Sequence, residues 1–152
     1  MPELPNDTGA LRLALSLVAR DGPSGRILAT VAIEYLDRRD GEWWPVVRLP
    51  PLYLEGQAVE RLLGGATDLL RGSTAGFAWR PSEASPVGLQ FGTVPGGATV
   101  EVGVDLGHFL ADVAGVALRA DAELALFRWR VQQGDLVRFS DALTSELRAL
   151  PT

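Results

Sequence analysis

The sequence predicts an α+β fold: a single, mainly antiparallel sheet of about six to seven strands with two helices packed on one face, in the order βββ-α-ββ(β)β-α. Three observations predict it. Apolar residues alternate with polar ones in several short segments, the mark of strands with one buried face. In two places the apolar spacing changes to three and four, the mark of amphipathic helices. Dense turn signals separate the strands, so neighbours connect as hairpins. The 152 residues and 47% hydrophobic content suit one ordinary domain without metal or disulfide.

Residues 1–9, with Pro2, Pro5 and Gly9, read as a flexible lead-in to a single domain over 10–152. Leu11, Leu13, Leu15 and Leu17 alternate with Arg12, Ala14, Ser16 and Val18, giving a first strand. The turn Asp21-Gly-Pro-Ser-Gly25 leads to a second, with Ile27, Ala29, Val31, Ile33 and Tyr35 on one side. Asp40-Gly41 closes a hairpin onto a third strand from Trp43 to Leu49, which Pro50-Pro51 ends. Val59, Leu62, Leu63, Ala66, Leu69 and Leu70 form one helical stripe, with Gly72 as its C-terminal stop. Within it Gly64-Gly65 costs about 2 kcal/mol of helix propensity against two alanines. That pair implies a local bend or the close approach of another backbone.

Strands resume at Phe77–Trp79 and Val87–Phe91, turn at Pro95-Gly96-Gly97, and continue through Val100, Val102, Val104 and Leu106. Residues 107–120 fit either a strand or an irregular crossing. Leu124–Val131 alternates again, with Phe127, Trp129 and Val131 facing one way and Arg128 and Arg130 the other. A final helix starts at an Asp135 N-cap, carries Leu136, Phe139, Leu143, Leu147 and Leu150 on one stripe, and stops at Pro151.

Composition narrows the chemistry. The absence of cysteine excludes thiol catalysis, disulfides and Cys-ligated metals, and a single histidine excludes sites needing paired imidazoles. A net charge of −5 repels a phosphate backbone on average, so no nucleic acid is expected. No apolar run is long enough for a membrane helix. The N-terminus lacks a basic region followed by an apolar signal core, so the cytoplasm is the expected compartment.

His108, after Asp105-Leu-Gly, is the one candidate general base, with Asp105 as its orienting group. No Gly-x-Ser-x-Gly elbow accompanies it, and a hydrogen-bonded loop histidine is the simpler reading. Glu101 and Asp105 share a strand face about 13 Å apart, too far for a glycosidase pair, and Arg128 and Arg130 suit them as cross-strand partners. Asp37, Asp40 and Glu42 crowd one loop without the spacing of a calcium site. The sequence thus offers no catalytic set, cofactor or metal site. Trp43 and Trp44, adjacent on a strand, must point to opposite faces: one into the core, the other toward water, a helix or a partner. Trp43, Trp44, Arg128 and Arg130 are therefore the candidate interface, while Trp79 and Trp129 are expected in the core.

The stretch Phe77-Ala-Trp-Arg-Pro-Ser-Glu83 followed by Val87, Leu89 and Phe91, and the closing Asp135-Leu-Val-Arg-Phe139 with Leu143 and Leu147, resemble the WapI-type group of bacterial immunity proteins. That resemblance implies a non-enzymatic, immunity- or antitoxin-like protein that binds a partner, such as a cognate toxin. Two alternatives come from the residues themselves. One is a homodimer covered by Trp43 or Trp44, and the other a small-molecule binder or enzyme using a sheet–helix pocket near His108.

Overall fold

The computed structural model describes residues 1–82, 85–105 and 124–151, of which 124 and 125 are described for backbone only. Among the described residues the α+β class, the antiparallel pairing and the two helices are as the patterning predicts. The strands, however, divide into two sheets instead of forming one. The first sheet holds β1 (Glu3–Pro5), β2 (Leu11–Arg20), β3 (Ile27–Asp37) and β4 (Glu42–Arg48) in sequential order, with β5 (Leu52–Leu54) also paired to β3. Helix α1 (Gly56–Arg71) follows. The second sheet runs β6 (Gly76–Trp79), β7 (Val87–Val94), β8 (Gly97–Asp105) and β9 (Leu124–Gln132), and helix α2 (Gln133–Ala149) follows it. Each half is thus a set of antiparallel strands closed by a helix. Strands twist, so a continuous ribbon of this many would curl; two sheets facing the helices bury the same apolar residues more compactly.

The inner side chains of both sheets and the apolar stripes of both helices form one core, from Leu13, Ile33 and Leu54 through Leu62 and Ala66 to Val100, Val102, Phe139 and Leu143. Two buried indoles join the layers. Trp79 Nε1 donates to the Ala58 carbonyl at 2.8 Å, tying β6 to α1, and Trp129 Nε1 donates to the Leu4 carbonyl at 3.2 Å, tying β9 to β1. Both tryptophans lie in the core, as expected.

Three local readings change. Residues 1–9 carry β1, with Leu4 fully buried, because Leu4 completes the inner face that β2 begins. The prolines that suggest a loose lead-in are tolerated at this short sheet edge. The third strand, β4, does end before Pro50-Pro51, but a brief further strand, β5, follows them and pairs with β3 on the same side as β4. Helix α2 begins at Gln133 directly out of β9, which places Asp135 inside its first turn, where it pairs with Arg138 instead of capping. There its charge favours the helix dipole.

Other signals stand. Gly72 ends α1 at φ 74°, its N–H and that of the next residue closing on Leu69 and Asp68. Pro95-Gly96 forms the tight link between β7 and β8, with Gly96 at φ 78°, a left-handed value that a side chain resists. The segment 107–120 lies outside the described residues.

Candidate interaction surfaces

Trp43 and Trp44 do point to opposite faces, but neither enters the core. The cause is their position: β4 is the edge strand, and Trp43 and Trp44 pair with Leu36 and Tyr35 at the far end of β3, beyond the last core residue, Ile33. Trp43 turns to the outer face, where the Arg12 guanidinium lies 3.9 Å over its ring. Arg12 is in turn held by Glu3 at 2.6 Å and Glu34 at 3.0 Å. One cation thus serves two carboxylates and one π-face across three strands, and it half-covers Trp43.

Trp44 has no such cover. Its side chain stands beside Tyr35, and the two are 49% and 43% exposed. Val46, skipped by the bulge where Ile33 pairs with Val47 and Glu34 with Pro45, adds a third apolar group at 48%. Pro45 and this bulge blunt the backbone edge of β4 against strand addition. A partner here would meet side chains, not an open ladder.

The nearby acids are spoken for by the turn. Asp37 accepts the backbone and guanidinium N–H groups of Arg39, which hold its carboxyl below the usual range, and Asp40 accepts the Glu42 N–H at 2.9 Å. Among the described residues no cluster suits a metal ion.

Arg128 and Arg130 lie on the outer face of the second sheet, away from the tryptophans. Arg128 stands directly opposite Glu101, as expected, but among the described residues no ion pair closes between them. Arg130 stands opposite Thr99, not an acid, and donates to the Pro95 carbonyl. Asp105 ends β8, with its N–H bonded to the Pro86 carbonyl at 2.8 Å. His108 lies outside the described residues, so the pairing of Asp105 with it has no geometry here.

Around Arg128 the face is hollowed. Gly88 and Gly103 sit opposite each other on β7 and β8, and Leu126 beside them on β9. Their missing side chains leave a depression of about 440 Å³, walled by Arg61, Ala78, Arg80, Gln90, Glu101 and Leu126. A second hollow of about 210 Å³, floored by Gly92, lies on the other side of Gln90 and Glu101 and reaches Thr99 and Arg128. Sequence reasoning missed Tyr35, Val46, Arg61 and Arg80. The glycines were the available signal: in Val87-Gly-Leu-Gln-Phe-Gly92 and Val102-Gly-Val104 they fall on the face opposite the apolar residues.

No protein-family model and no curated protein matches the chain. Among solved structures it is similar to Trypanosoma bruciei MRP1/MRP2, with a TM-score of 0.46 and 14% identity over 90% of this chain and 82% of that one.

Proposed function

We propose that this chain is a non-enzymatic protein-binding module whose partner docks on Trp44, Tyr35 and Val46. The observation that carries the reading is the half-exposed pair Trp44–Tyr35, large rings side by side across the edge strand β4 and its neighbour β3, which no element among the described residues buries. Aromatic side chains placed like this give much contact area for little entropy, which is why they dominate binding hot spots. The net charge of −5 favours a basic partner through electrostatic steering. A basic toxin would meet that condition, in keeping with the immunity-protein resemblance of Phe77–Glu83 and Asp135–Phe139.

One observation favours a second reading, a two-fold dimer through the same surface. Trp44 and Tyr35 of one copy could cover the same two rings of a second across a two-fold axis, a self-complementary contact that needs no open backbone ladder. Light scattering across a concentration series separates the two: a dimer that W44A dissociates supports self-association, and a persistent monomer leaves the foreign partner. Affinity capture from the native cell with wild type and W44A in parallel, then reconstitution of the purified pair, tests the main reading. It fails if both baits recover the same proteins.

A further inference from the structure

The hollowed outer face of the second sheet has a charge opposite to that of the whole chain. Arg61, Arg80 and Arg128 line its two depressions against the single carboxylate of Glu101, while the protein carries −5. Arg130 adds a fourth guanidinium beside them on β9, and Asp105 stands farther along β8, outside both hollows. The floor is made by Gly88, Gly92 and Gly103, with the Arg80 guanidinium over Gly88 and Thr99 Oγ1 beside Gly92, so the approach to the sheet is lined by polar groups. The exposed Leu126 and Ala78 give the larger hollow apolar walls.

From this we infer that the face is a docking groove for an extended, acidic peptide segment of a partner protein. The spacing fits. Arg80 lies over Gly88 on β7, its Nε 3.5 Å from where a β-carbon would stand, and Arg128 is on β9, two strands away. Gly88 is level with Leu126, so Arg128 stands two strand spacings across and two residues along, about 12 Å away, while an extended peptide presents side chains on one face about every 7 Å. Glutamates two or four positions apart therefore bracket that span and reach both guanidiniums, while between them Gln90's amide donates or accepts and Glu101's carboxylate accepts from the peptide's N–H and hydroxyl groups. A single nucleic-acid strand suits the face less well. It would meet the overall negative charge, and among the described residues it would find no ring on this face to stack on, since Trp79 and Phe91 turn theirs into the core.

The test is fluorescence anisotropy of a labelled alternating Glu-Ser peptide with the full chain, run beside a labelled oligothymidine. The peptide should bind, more weakly as salt rises. R80S and R128S should each weaken it about tenfold, the scale of a lost charge-assisted hydrogen bond. G88V, which fills the larger hollow with a strand-favouring residue, should weaken it comparably with an unchanged far-UV spectrum, whereas R26S, a charge loss in the turn between β2 and β3, should not. The inference is overturned if wild type does not bind the peptide, if the variants bind like wild type, or if the oligothymidine binds more tightly. The aromatic edge takes no part in this measurement, so failure here leaves the proposed function standing.

Discussion

Gly65 on α1 lies under the ring of Phe77 on β6, so close that a β-carbon at Gly65 would stand 2.5 Å from the ring edge. This explains the costly Gly64-Gly65 pair. The close approach expected there exists, but it is by an aromatic side chain, not a backbone. Phe77 in turn stacks on Phe91 at 4.7 Å between centroids, so the ring has little room to retreat.

The two glycines should therefore respond oppositely to alanine. Nothing lies within 4 Å of a β-carbon at Gly64, so G64A should stabilise by up to about 1 kcal/mol through helix propensity. G65A should destabilise by about 1–3 kcal/mol, the range for overpacking, and F77L should relieve part of that. Urea unfolding of the three variants and the double mutant checks this. A stabilising G65A contradicts the packing described.

Glu146 on α2 accepts the Leu17 N–H at 2.8 Å and thereby satisfies the free edge of β2 beyond the reach of β1. E146A should cost about 1–3 kcal/mol, because it leaves a partly buried N–H without its acceptor. Amide exchange at Leu17 should accelerate in the variant. An unchanged rate would mean that the carboxylate does not guard that edge.

Trp129→Phe keeps most of the ring volume but removes the donor to the Leu4 carbonyl. The expected loss is about 1–3 kcal/mol, with earlier loss of protection in β1 than in β3. Equal loss in both strands would show that the indole does not anchor β1.

The Asp37 carboxyl is held below its usual range by hydrogen bonds from Arg39. A depressed folded-state value stabilises above the unfolded carboxyl's range and is lost as the pH falls through the folded value. Comparing D37N with wild type from about pH 6 down to about pH 2, D37N should show the shallower acid decline. Parallel curves would remove Asp37 from the account of the β3–β4 hairpin.

Much of the fold was legible because burial writes itself into periodicity. The Ile27–Tyr35 and Val100–Val104 alternations and the Val59–Leu70 stripe each reflect contact with one core, and all three elements form where expected. What was not legible depends on pairing at a distance. Leu4 alone in a proline-rich segment gives no period, yet it is buried because β2 and Trp129 meet it there. The division into two sheets likewise depends on where ladders stop, which local alternation does not encode. Alternation puts Trp43 and Trp44 on opposite faces, as found, but not which is covered: neither reaches the core, and only the reach of Arg12 across β3 decides that Trp43 is covered while Trp44 is not. The groove shows the same limit: its glycines read as strand residues until register sets them side by side.

The most direct test of the central claim is binding of the purified partner, identified by capture, to wild type and to W44A and Y35S in calorimetric titration. Each truncation should weaken binding by about 2 kcal/mol or more, near thirtyfold, while the unfolding midpoint moves little, since both rings are half in solvent. Equal affinity for all three proteins would contradict a docking surface at Trp44 and Tyr35.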